Sequence, residues 1–376
     1  MLIEGNLRLK YTDRYPLLIG LIAVQNAMIS STLLKPIFDI IKYPLLGLIL
    51  FLMMWLIAEK RKNVQTWIGF FSLILLGINT SRILSTNAIL YIVILTFLSR
   101  DEDIRKGANI LVKVLGSVFA VNIIVFLAQY FSMKENLSFL DWHGFKRYFL
   151  YYDHPNNAAK YFIFLCAIIV YLYANELKWR HWILMLLGMF GMYYFTRSDS
   201  LYVIIILILL TTLREKRVFN KGINFFSKYG MIIFSCISAG MALFTNIPII
   251  SNIFFLFDEI GSGRFSNLYR AVQRYGITWL GQRVLFGNYE IVGGYEGIYA
   301  DNLTVYCMTY LGAIYIFILG YFFYKTSDQV SLCGKIYRCI FLIFTLFENR
   351  VFGIEAYFVI MISYGSCKMR GGGNSQ

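Results

Sequence analysis

The stretch "VLGSVFAVNIIVFLAQYFSM", residues 114–133, carries no charged side chain over its whole length. A helix rises 1.5 Å per residue, so about 20 mainly apolar residues span the hydrocarbon of a bilayer. Outward from this stretch, further charge-free runs lie at 15–34, 43–58, 63–81, 83–99, 161–175, 182–196, 200–213, 229–257 and 302–324. Two more apolar segments, near 331–347 and 351–367, are interrupted by Lys335, Arg338 and Glu355. The pattern predicts an all-α, polytopic integral membrane protein of about twelve transmembrane helices, forming a single transmembrane domain over residues 1–376.

Composition agrees. Hydrophobic residues make up 58% of the chain and charged residues 15%, with a mean hydropathy of +0.61. A soluble domain carries roughly 25% charged residues and could bury so many apolar segments only by covering them on every side. Arg8, Lys10 and Arg14 precede or open the first run, which lacks a clear small-residue cleavage site. An uncleaved first helix starting in the cytoplasm is expected. With twelve spans from that start, both termini are cytoplasmic, and 21 of the 35 Lys and Arg lie on cytoplasmic segments against 12 on outer ones. The net charge of +14 is then mainly a topology signal. A nucleic-acid partner would need a basic soluble surface, and the sequence has none. The six cysteines lie in or beside apolar runs without a Cys-x-x-Cys pair, which suits packing residues. The three histidines are scattered, so neither a metal cage nor another cofactor is expected.

Two connections are long, about 134–157 and 248–301, and the topology puts both on the outer face, together with the short turn "TRSDS" at 196–200. In the larger loop, "RFSNLYRAVQRY" (264–275) places Phe265, Leu268, Tyr269 and Val272 at helical spacing. A short amphipathic helix follows, with Arg270 and Arg274 on one face and Arg264 at its start after "GSG". Guanidinium groups grip phosphate oxygens in a forked geometry. The same helix could instead lie on anionic membrane-lipid headgroups. Arg197 and Asp199 of "TRSDS" either pair with each other or let Arg197 join the anion site.

In "YYDHPNN" (151–157), Pro155 and the Asn pair suit a turn and a helix cap. Asp153 and His154 together also suit general-base chemistry. Asp301, before the run at 302–324, either caps that helix or orients a sugar hydroxyl or a basic partner.

"DHPN" after an outer loop, "FTRSDS" at a span end, "GSGRF…YRA" in the largest loop and "FGN…YADNLTVYCMTYLG" leading into a span resemble, in order and in side, the Wzy-type O-antigen and capsular polysaccharide polymerases. The resemblance covers about residues 150–325. It implies a glycosyltransferase of the bacterial plasma (inner) membrane that moves a glycan from polyprenyl diphosphate onto a lipid-linked repeat unit. Polyprenyl-diphosphate-linked oligosaccharides are the implied substrates, and flippase and chain-length regulator proteins the implied partners. By matching motif, Arg264 and Arg197 contact the donor with Arg270 and Arg274 beside them, and His154, Asp153 and Asp301 serve the acceptor hydroxyl. One departure stands: the family's "T-x-S-R" is "TRS" here, which turns the Arg197 side chain by about 100° on a helix. A ligase of the same superfamily and a lipid-linked oligosaccharide flippase are the competing expectations. A flippase would place its polar groups at mid-membrane between repeats.

Overall fold

The computed structural model describes residues 11–59, 64–84, 88–99, 101–132, 138–140, 144–244, 247–248, 251–252, 255, 264–284, 287–291, 294–298, 302–348 and 354–366. Each predicted apolar run holds a helix. The first nine are α1 Tyr11–Ser30, α2 Lys35–Ala58, α3 Val64–Leu84, α4 Ala88–Leu98, α5 Asp101–Phe131, α6 Pro155–Tyr173, α7 Trp179–Thr196, α8 Val203–Thr212 and α9 Arg217–Leu243. The amphipathic α10 spans Arg264–Tyr275, followed by α11 Leu303–Tyr306, α12 Ala313–Thr326, α13 Leu332–Phe347 and α14 Ile354–Ser366. Two short antiparallel hairpins accompany them. Strand β1 (Ser138–Leu140) pairs with β2 (Lys146–Tyr148), and β3 (Gly287–Ile291) with β4 (Gly294–Ile298).

The architecture is all-α, and four segments are long and apolar enough to cross a membrane: Lys35–Ala58, Val64–Ile83, Ile104–Phe131 and Pro155–Tyr173. Their outward faces carry large bare apolar side chains, among them Ile40, Leu75 and Ile124. Apolar surface on that scale belongs to a membrane-embedded bundle. Of the four, α6 is central: 67% of its apolar window is buried, against 22%, 17% and 22% for the other three. Small residues allow this. Ala158, Ala159 and Ala167 let α5, α7, α13 and α14 close around α6, with Phe164 set against Tyr337 and Phe344. The residues at the start of α6 therefore sit over the middle of the bundle.

Two expectations are corrected. Of the run at 229–257, residues up to Leu243 lie on a helix that begins earlier, at Arg217, because the amphipathic segment carrying Lys221 and Lys228 continues it. More consequentially, the run at 302–324 is not one uninterrupted helix. After α11 the chain makes a π-helical turn over Cys307–Leu311, then breaks at Gly312 (φ 111°) before α12. The segment 278–282 inserts at this break. Thr278 N–H donates to Met308 O (2.9 Å), Gln282 N–H to Tyr310 O (2.9 Å), and Ala313 N–H to Thr278 O (2.7 Å). Backbone groups freed from a helix within a membrane need such partners. Gly281 and Gly312 make the approach feasible, since a Cβ on Gly281 would lie 2.5 Å from Leu311 O and one on Gly312 would strike Trp279 O. Asn79 of α3 donates its amide to Leu280 O (2.9 Å), holding the inserted segment to the bundle.

Candidate functional site

Strand β2 delivers Arg147 to the start of α6. Its Nε donates to Thr196 O at the end of α7 (2.7 Å), and Nη2 donates to Asn156 Oδ1 (2.6 Å). The chain then reverses through Leu150 (φ 51°) and Tyr151 (φ 59°), both left-handed. Leu150 and Tyr152 are buried, and Thr32 N–H between α1 and α2 donates to Tyr151 O (2.8 Å), which fixes the reversal. Arg197, capping α7, is left-handed too (φ 50°). Among the described residues these three are the only non-glycine positions with positive φ, and all flank Arg147. Such conformations cost on the order of 1–3 kcal/mol each and persist only where the surroundings impose them.

Helix α6 starts earlier than the expected Asn cap: Pro155 takes its first position, where its fixed φ suits a helix, His154 is extended before it (φ −154°, ψ 145°), and Asn156 and Asn157 lie within the first turn. The cap itself is His154: its Nδ1 accepts from Asn156 N–H (3.1 Å). Asp153, exposed, accepts at Oδ1 from the Asn157 side-chain amide. The adjacent Asp and His are thus each tied to a separate Asn. Asn156 Nδ2 donates to Glu348 Oε1 (2.8 Å). Glu348 caps the C-terminal end of α13 and is only 3% exposed. A carboxylate is disfavoured at a helix C-terminus, so its place depends on donors such as Asn156. Lys160, one turn along α6 from Asn156, is also buried and lies 4.8 Å from the Tyr161 ring.

The second expected group joins from α11. Asp301 lies outside the described residues. The residue that caps α11 is its neighbour Asn302, whose Oδ1 accepts from Thr304 N–H (2.8 Å) and Val305 N–H (3.3 Å). Its Nδ2 donates to Ser238 Oγ and to Leu346 O, both at 3.0 Å. Leu346 is two residues before Glu348, so the starts of α6 and α11 meet at the end of α13. Helix α10 packs beside them, its Leu268, Ala271 and Val272 buried with Met241 of α9 and Val305 of α11. Its apolar side is therefore spent on protein, and Arg270 and Arg274 are exposed. For Arg264, which opens α10, only the backbone is described.

Arg197 is exposed, its guanidinium 5.8–6.0 Å from the Phe145, Tyr193 and Tyr194 rings. Among the described residues it forms no ion pair with Asp199, which opens a 3-10 turn instead. An apolar cavity of about 350 Å³ lies between α3, α4 and α12, lined by Gly69, Phe70, Leu73, Val93 and Leu319 and reaching Leu303 and Cys307, next to Asn302. That volume suits an organic chain.

Arg147, Asn156 as a side-chain link, Glu348 and Asn302 are the residues that sequence reasoning missed. Glu348 carried a weak signal, an acidic residue ending an apolar run in "LFENR". No protein-family model, no curated protein and no solved structure matches this chain.

Proposed function

We propose that this chain is a polysaccharide polymerase with twelve membrane crossings and both termini in the cytoplasm. It would transfer a polyprenyl-diphosphate-linked glycan onto a lipid-linked repeat unit at the outer face of a bacterial plasma membrane. The observation that carries the reading is the Arg147–Asn156–Glu348 chain at one end of the bundle. There, a buried carboxylate stands close to the cap of α11, beside an arginine-bearing helix and near an apolar cavity that suits an isoprenoid tail. A transfer from a lipid diphosphate requires these elements together. The acceptor hydroxyl oxygen bonds to the anomeric carbon, and the bond from that carbon to the diphosphate oxygen breaks. The diphosphate keeps the electron pair and is held by Arg264, Arg270, Arg274 and Arg197. The hydroxyl proton passes to a carboxylate, Asp301 or Glu348. With its Nδ1 committed to the helix cap, His154 does not take that proton in this reading.

A flippase would make use of a broken span such as the one at Gly312. Here the break is filled by residues 278–282, which favours a static support over a moving gate. Deletion of the gene, followed by analysis of lipid-linked and surface glycan, tests the function. Single lipid-linked repeats without polymer are expected. Polymer that fails to reach its final anchor would indicate a ligase, and repeats retained on the cytoplasmic leaflet a flippase.

A further inference from the structure

The segment that fills the break at Gly312 carries a row of bare apolar side chains. Trp279 is 69% exposed and Leu280 60%, with Ile277 exposed beside them. The Trp279 ring stacks on Phe317, itself exposed on α12, with centroids 5.9 Å apart. Apolar groups so grouped are costly to leave in water.

Two helices give the height of this row. Asn79 of α3, whose amide donates to Leu280 O, precedes Arg82 in the last turn of that helix by three residues. At 1.5 Å per residue, Leu280 O is therefore held about 4.5 Å below the level of Arg82. Helix α3 is long and apolar enough to cross a membrane, and a basic residue in the last turn of such a helix belongs at the headgroups. On α12, Phe317 follows the first residue, Ala313, by four, which sets the Trp279 stacking about 6 Å along that helix. Both heights fall on the acyl side of the headgroups. Irregular backbone is tolerated there only with protein partners, and the bonds of Thr278, Leu280 and Gln282 to the π-helical turn, α12 and Asn79 supply them.

The same segment is tied to α10. That helix ends at Tyr275, and Gly276 (φ 70°) turns the chain into Ile277. Gln282 Nε2 donates to Tyr275 O (2.7 Å) and to Thr309 O (3.1 Å), which joins the last turn of α10 to the π-helical turn.

We propose that Ile277, Trp279 and Leu280 form a re-entrant wedge immersed in the acyl chains of the adjoining leaflet, and that this wedge seats α10 at the height of the lipid phosphates. Lipid is the fitting partner because the row continues the outward apolar surface of α3 and α12, at Ile78, Phe317 and Ile318, which the membrane already covers. Tryptophan is also favoured at that boundary. Neither placement depends on the polymerase reading. With that reading, Arg270 and Arg274, exposed on α10, stand at the level where a lipid diphosphate lies.

Depth is measured on the full chain in vesicles of phosphatidylethanolamine and phosphatidylglycerol. Nitroxide labels are placed singly through Ile277→Cys, Leu280→Cys, Gln273→Cys on α10, and Lys216→Cys as an exposed aqueous reference, with the unsubstituted chain treated alongside as the blank. Oxygen concentrates in hydrocarbon, and a nickel chelate, supplied on both sides, stays in water. The ratio of oxygen to nickel collisions should be several-fold higher at 277 and 280 than at 216, and intermediate at 273. A ratio at 280 equal to that at 216 would place the segment in water and overturn the wedge. Access of neither reagent to 280 would mean that protein, such as a second copy, covers it, and would overturn it too. A ratio at 273 equal to that at 216 would overturn the seating of α10. In the same vesicles, Leu280→Asp should lower the thermal midpoint because it puts a charge among acyl chains, and Leu280→Phe should keep it. An unchanged midpoint in Leu280→Asp would likewise count against immersion. Loss of the polymerase reading through unchanged surface glycan in a deletion strain would leave these collision ratios as they are.

Discussion

The side-chain amide of Asn156 donates to the Glu348 carboxylate across 2.8 Å, joining the first turn of α6 to the end of α13 over 192 residues of sequence. The same amide oxygen accepts from Arg147, so a cation and an anion are bridged through one neutral side chain. Glu348→Gln keeps an acceptor for Asn156 and removes the charge. It should fold with a near-native thermal midpoint while polymer formation falls. Glu348→Ala leaves the Asn156 amide without this acceptor in a buried setting and should cost about 1–3 kcal/mol. A double-mutant cycle of Glu348→Ala with Asn156→Ala, read by thermal unfolding in detergent, should show a coupling well above the roughly 0.3–0.5 kcal/mol scatter of independent sites. Simple additivity would mean that the two residues act separately.

The inserted segment 278–282 makes Gly281 and Gly312 intolerant of any side chain. Gly312→Ala adds a Cβ that strikes Trp279 O, at a φ of 111° that L-residues rarely adopt. The variant should accumulate poorly or lose most of its thermal stability. Gly191→Ala in α7 is the control, since a Cβ there meets nothing within 4 Å. Equal behaviour of the two variants would contradict the close backbone crossing.

Arg338 is fully buried, stacked 4.8 Å from the Phe323 ring, and donates to Ser363 Oγ (2.9 Å), Phe323 O (3.0 Å) and Thr326 Oγ1. It binds α13 to both α12 and α14. Arg338→Ala should destabilise by about 3 kcal/mol, through acceptors left bare and lost packing. Arg338→Lys should recover little, because an ammonium cannot spread its donors over the same fork. A melting curve of Arg338→Lys coincident with wild type would show that charge alone matters.

Donor recognition is tested at α10. Arg264→Lys retains charge without the forked geometry, and polymer formation should drop about tenfold or more. The double substitution Arg270→Gln with Arg274→Gln should lower activity at limiting donor more than at saturating donor. Full chain length and rate in Arg264→Lys would assign α10 to lipid headgroups instead.

Topology is tested by impermeant thiol labelling on a cysteine-free background. Cysteines in place of His143 and Glu290 should label from outside, and those in place of Arg61 and Arg217 should not. The reverse pattern would put the Arg147–Asn156–Glu348 chain on the cytoplasmic side and defeat the lipid-diphosphate reading.

Local chemistry made much of the fold legible. Charge-free runs became helices because backbone hydrogen bonds within one segment are the cheapest way to carry apolar side chains into an apolar medium. The period in "RFSNLYRAVQRY" likewise told which side of α10 would be buried, as Leu268 and Val272 bear out. Pro155 marked a boundary at the start of α6, although the helix begins on it and not after the Asn pair. What the sequence could not disclose depends on groups remote along the chain. Gly312 breaks its span because residues 278–282 arrive with hydrogen bonds for the freed backbone, and hydropathy carries no trace of that arrival. Glu348 can be buried only if donors are brought to it, and Asn156 reaches it through the packing of α6 against α13. The direction of the His154 ring was decided last. Its residue type suits base, donor or cap alike, and it is the fold that brings the backbone N–H of Asn156, whose side chain bonds Arg147 and Glu348, to its Nδ1.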